Sequence, residues 1–111
     1  MEFVITEYNH CNLIQVKGRI DSYTGPKLDK ALNIMLADGH YKFVIDLQEV
    51  TYLSSSGMLT LINTQKKCKQ HNGGEIYLAN VSGRILSSLE LAGFDQLFTF
   101  FDDIVTAVGK F

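Results

Sequence analysis

The chain has 111 residues, of which 46% are hydrophobic and 20% charged. That balance suits one compact domain over residues 1–111 with a packed core, and excludes a disordered tail, a coiled coil or a collagen-like repeat. The net charge is −2, with Lys and Arg scattered along the chain. No basic footprint for a nucleic-acid backbone or an anionic membrane results.

Met1-Glu2-Phe3-Val4-Ile5 does not read as a leader, and no apolar run approaches the ~20 residues that a membrane span needs. A cytoplasmic protein is expected. Cys11 and Cys68 are far apart and form neither a disulfide framework nor a Cys-x-x-Cys motif, so two reduced thiols are expected.

Phe3 to Tyr8 is rich in aromatic and β-branched residues, and the turn-forming Asn9-His10-Cys11-Asn12 separates it from Leu13-Ile14-Gln15-Val16. This predicts a β-hairpin whose second strand closes at Gly18. Leu28, Ala31, Leu32, Met35 and Leu36 then follow the i, i+3, i+4 rhythm of a helix with one buried stripe. Pro26 fits its first turn, and Gly39 its stop.

Phe43-Val44-Ile45-Asp46-Leu47 is nearly continuous in apolar residues, as a strand covered on both faces should be, and belongs in the middle of the sheet. A helix from Ser56 carries Met58, Leu61, Ile62, Gln65 and Cys68 on one face and ends near Gly73-Gly74. The strand Ile76–Ala79 follows. Ser82 is placed to cap the next helix, with Ile85, Leu86 and Leu89 inward, Val81 and Leu86 as a hydrophobic staple, and Gly93 as its stop. A last strand, Leu97 to Phe100, leads through Asp102 to a helix containing Ile104, Val105 and Val108.

The order is β-β-α-β-α-β-α-β-α: an α/β fold with an N-terminal hairpin, a mixed, mostly parallel sheet and about four helices. The later strands, alternating with helices, are parallel through right-handed crossovers.

Catalytic motifs are missing. The chain has neither a P-loop nor a dinucleotide-binding glycine pattern. Leu53-Ser54-Ser55-Ser56-Gly57 lacks the first glycine of a nucleophile elbow. His10, His40 and His71 are dispersed at turns and helix ends, so each is read as a solvated surface residue. Asp46 lies on a central strand, as the acceptor of a response-regulator receiver does. Its neighbours are apolar and no acidic pair follows the first strand, so that reading fails. No metal, cofactor or enzymatic activity is expected.

The junction Val50-Thr51-Tyr52-Leu53-Ser54-Ser55-Ser56-Gly57 remains. One serine here can cap the free N–H groups of a helix. The same place, at the carboxyl end of a strand, is where ligands and partners meet open α/β sheets. Phosphorylation of a serine would add a charge of about −1.5 to −2, which a helix N-terminus tolerates.

Five short motifs follow one another: Gly18-Arg19-Ile20-Asp21, Val44-Ile45-Asp46-Leu47, Ser55-Ser56-Gly57, Leu78-Ala79-Asn80-Val81 and Leu91-Ala92-Gly93-Phe94. In this order and spacing the chain resembles a STAS domain, the module of bacterial anti-sigma-factor antagonists also found in sulphate transporters. The resemblance spans nearly the whole chain and implies partner switching. The antagonist binds an anti-sigma factor of the histidine-kinase-like ATPase type, which is also its serine kinase, and a metal-dependent serine phosphatase resets it.

The family's Asp-Ser-[Ser/Thr]-Gly motif places the phosphorylated serine at Ser55. Ser54 stands where the aspartate is usual, and Leu59 where glycine is common. The resemblance also implies that Asp21 lies near Ser55. The expected partner surface comprises Asp21, Ser54, Ser55, Ser56, Gly57, Met58 and Leu59. Met58 and Leu59 are adjacent on a helix, so one faces the core, the better place for Met58, and the other adds to docking. The alternative is a STAS scaffold or small-ligand-sensing module that is never phosphorylated.

Overall fold

A computed structural model describes residues 1–111. The hairpin pairs β1 (Glu2–Glu7) antiparallel with β2 (Asn12–Ile20), Ile5 opposite Ile14. The other strands are β3 (Lys42–Leu53), β4 (Glu75–Ala79) and β5 (Thr99–Phe101), and β2 to β5 are parallel neighbours in chain order. The helices are α1 (Gly25–Ala37), α2 (Ser55–Lys69), α3 (Gly83–Leu91) and α4 (Ile104–Gly109). A 3-10 turn, Asp95–Leu97, precedes β5.

β3 is the middle strand, and its apolar run is buried on both faces as its sequence requires. One face carries the main core of 20 buried residues, among them Leu28 and Leu32 of α1, Leu61 of α2 and Leu89 of α3. The opposite face carries five, Cys11, Leu13, Val44, Ala79 and Ala107, closed by α4 and by Phe111 stacked on Tyr77. β1 and β5 are the sheet's outer strands, and on β1 Val4 is 62% exposed.

Several boundaries differ from the sequence reading. β2 does not close at Gly18, which sits at φ +97° inside the strand; the chain shifts register there and runs on to Ile20. β3 extends to Leu53 because β2 continues to pair with it, Ile20 opposite Leu53. Phe98 is buried just ahead of β5, which starts two residues later than expected because the 3-10 turn takes Leu97. In α4 the inward residues are Ile104, Ala107 and Val108, whereas Val105 is 82% exposed.

Gly39 and Gly93 end their helices with φ +90° and +78°. In both, two backbone N–H groups fold back onto the last turn: Gly39 to Leu36 O and His40 to Met35 O, Gly93 to Glu90 O and Phe94 to Leu89 O.

Candidate functional site at the N-terminus of α2

The site begins where β2 and β3 end together. The Ser54 N–H donates to Ile20 O at 2.9 Å, extending the ladder one residue past β3. Ser54 is extended (φ −79°, ψ 170°), and its Oγ accepts the Gly57 N–H at 3.1 Å, so it is the N-cap of α2. Its Oγ also shares a hydrogen bond with Ser56 Oγ at 3.0 Å.

The three serines are thereby distinguished. Ser54 caps, and Ser56 is tied to Ser54. Ser55, the first helical residue, is exposed and its hydroxyl bonds no other group of the chain. Aspartate and serine are comparable N-caps, so Ser54 does the backbone work of the aspartate that the resemblance leads one to expect there and leaves out only the charge.

Gly57 is required for space. A Cβ at this position would lie 2.6 Å from Ile20 O and 3.0 Å from Leu53 Cδ1. The first turn of α2 therefore rests directly on the ends of β2 and β3. Of the two apolar residues that follow, Met58 is 5% exposed within the main core and Leu59 is 49% exposed. The Met58 side chain, counted above with the partner surface, thus supports the helix from below, and Leu59 supplies the apolar surface.

Asp21 organises the loop between β2 and α1. Its Oδ1 accepts the N–H groups of Tyr23 and Thr24, each at 3.0 Å, and Oδ2 faces Arg19 Nε at 3.5 Å. The Thr24 N–H foremost, then the Tyr23 N–H, the Thr24 hydroxyl and Arg19, hold its carboxyl below the usual 3.8. Arg19 lies 4.3 Å over the Tyr52 ring.

Asp21, Asp29, Ser56, Leu59, Thr60 and Asn63 line one groove of about 280 Å³ between the starts of α1 and α2. The two helices are in contact there, since a Cβ at Gly25 would stand in ordinary van der Waals contact with Thr60 Oγ1 at 3.5 Å. The structure thus gathers Asp21 with Ser56 and Leu59 around the groove and leaves Ser55 outside its lining. Asp29, Thr60 and Asn63 were not singled out from sequence. The available signal was that Thr60 and Asn63 lie four and seven residues beyond Ser56, on one face of the helix.

Asp46, the residue weighed as a receiver acceptor, is buried and fully engaged. It accepts from the Gln48 N–H, Asn80 Nδ2 and Gln15 Nε2, at 3.1, 3.0 and 3.4 Å. This ties the middle of β3 to the residue just past the end of β4, where Asn80 adopts φ 56°. Both cysteines are unpaired and buried, and burial pushes the Cys68 thiol up to about 12. His71 stacks on Tyr41 at 3.5 Å. No helix is long and apolar enough to cross a membrane.

A helix N-terminus seated on the ends of two parallel strands, with hydroxyls, a loop carboxylate and an exposed leucine, offers a surface suited to docking. Comparison with known proteins agrees. The STAS domain family model matches residues 2–107. An anti-sigma-B factor antagonist of Staphylococcus aureus is 34% identical over 84 residues, 76% of this chain and 77% of that protein.

The crystal structure of an anti-sigma factor antagonist from Mycobacterium paratuberculosis superposes with a TM-score of 0.86 at 24% identity, covering 98% of this chain and 92% of that one. The Bacillus cell-fate determinant SpoIIAA in its phosphorylated form does so at 0.76 and 13% identity, covering 98% of each chain. The chain belongs to the STAS-domain family of anti-sigma-factor antagonists.

Proposed function

We propose that this protein is an anti-sigma-factor antagonist that works by partner switching rather than by catalysis. Unmodified, it docks an anti-sigma factor of the histidine-kinase-like ATPase type through Leu59, the serine run and Asp21, freeing a sigma factor. The same partner phosphorylates Ser55, and a metal-dependent serine phosphatase removes the group. The names of the relatives support the first step, and SpoIIAA, which has this fold, exists in a phosphorylated form.

The observation that carries the reading is the division of labour among the serines. Ser54 and Ser56 are engaged with the helix start or with each other, and only Ser55 presents a free, exposed hydroxyl. In the transfer, Ser55 Oγ loses its proton and bonds the γ-phosphorus of ATP as the bond to ADP breaks. The product carries about −1.5 to −2 charges at the edge of the docking surface. Asp21, kept anionic by its N–H partners, adds a like charge to the same surface. A carboxylate or acidic patch on the partner is then repelled, and release follows.

The neutral cap favours one other reading. With Ser54 in place of an aspartate, a kinase that reads the carboxylate finds none, and the protein acts as a STAS scaffold or ligand-sensing module that is never phosphorylated. Incubation with the cognate anti-sigma kinase and ATP separates the two. A single phosphate by intact-mass measurement, abolished by Ser55→Ala, is expected. A stable kinase complex that yields no phosphoprotein overturns the switching reading in favour of the scaffold.

A further inference from the structure

The end of the sheet opposite the serine run holds a second, polar cavity of about 230 Å³. It lies beneath the hairpin turn, where the Tyr8 N–H donates to Cys11 O at 2.9 Å, and beside the loop from α1 into β3. Its lining includes Tyr8, His10, Asn12, His40, Tyr41 and Lys42.

Asn12 is the telling residue. It is 3% exposed, yet its carboxamide bonds no other group of the chain. No completely sealed side-chain nitrogen or oxygen in the molecule lacks a partner, so the Asn12 carboxamide opens on the cavity. Water reaching the cavity can serve this amide, and a ligand's polar atom can take that water's place.

The surrounding groups specify the ligand's charge. Lys42 forms no ion pair, since the chain's single one is Arg19–Asp21. Its stem is held alongside Gly73, where a Cβ would lie 3.4 Å from Lys42 Cε. His10 and His40 add ring nitrogens that can donate, and Tyr41 is fixed by its stack on His71. No three His, Cys, Asp or Glu side chains converge closely enough to hold a metal ion. The single acid of the lining, Glu7, sits on the exposed outer strand. One ammonium with amide and ring N–H donors around it suits a single carboxylate group better than a dianionic phosphate.

We propose that this cavity binds a small organic carboxylate, its oxygens accepting from Lys42 Nζ and the Asn12 amide. The site is independent of Ser55 phosphorylation, since Lys42 opens β3 and the serine run begins after its last residue.

The test is an amide-resonance titration with acetate, lactate, succinate and citrate, with inorganic phosphate as a separate arm. At least one carboxylate should give saturable shifts confined to residues 8–12, 40–42 and 72. Lys42→Gln and Asn12→Leu should each weaken it about tenfold or more, and Ser55→Ala should leave it unchanged. Lys42 is only half-buried, so Lys42→Gln keeps the test valid should Asn12→Leu disturb the hairpin. The absence of saturable shifts from every carboxylate, saturation by phosphate alone, or unaltered affinity in Lys42→Gln overturns the assignment.

Discussion

The two faces of the sheet are built to different depths. Under α1, α2 and α3 lie 20 buried core residues; under α4 lie five, closed by a helix of six residues. The serine-bearing helix belongs to the deep face, into which Met58, Leu61, Ile62 and Cys68 all descend. The docking surface proposed for so well anchored an element would be held in place before any partner arrives, which lowers the ordering cost of binding. The shallow face, with fewer buried apolar contacts, should open more readily.

The largest effect that can test this contrast is Leu61→Ala. Removing a fully buried leucine from the deep face should cost about 2–5 kcal/mol by urea denaturation. A cost below about 1 kcal/mol would show that α2 is not anchored as described. Gly57→Ala comes next, because its methyl meets the Ile20 carbonyl, and a loss of about 1–3 kcal/mol is expected. Gly83→Ala, where nothing lies within 4 Å, is the matched control and should change stability little.

On the shallow face, Phe111→Ala removes a ring stacked on Tyr77 with centroids 4.1 Å apart. The aromatic pairing it loses is worth about 0.5–1.5 kcal/mol beyond the area buried. The smallest effect is acid dependence. The Thr106 N–H holds the Asp103 carboxyl below 3.8 at the start of α4, as the Thr24 N–H does for Asp21. A depressed carboxyl adds stability that is complete above pH 3.8 and lost as pH falls through the folded-state value. Asp103→Asn should therefore flatten the stability profile below pH 3.8, and an unchanged acid limb would refute the assignment.

Much of this was legible in the sequence, and the failures have physical causes. Element types and their order followed from hydrophobic periodicity, and the stops at Gly39 and Gly93 from glycine's freedom at positive φ. Gly18 has the same freedom but uses it inside a strand, which only the continued pairing of β2 with β3 decides. Val105 satisfies the apolar pattern of a helix yet faces outward, because α4 is too short to bury a full stripe.

At the site, the serine run was visible as a helix start, but which serine caps it depends on geometry that three identical side chains cannot encode. The position of Asp21 near the serines was implied by family resemblance. Its loop bonds to Tyr23 and Thr24, and its grouping with Ser56 rather than Ser55, emerged only from the fold. The buried Asn12 stood in a stretch read as turn-forming, with nothing local to announce that its amide opens on a cavity.

The outer strand β1 has a further consequence, for self-association. Its free edge exposes Val4 and Ile5 between Glu2 and Glu7, the first and last residues of the strand. Two copies joining along this edge in antiparallel register would set each Glu2 against the other's Glu7. Like charges directly opposite are unfavourable, and they would meet at both ends of the new ladder. The same six residues that complete this side of the sheet thus discourage two copies from joining along it.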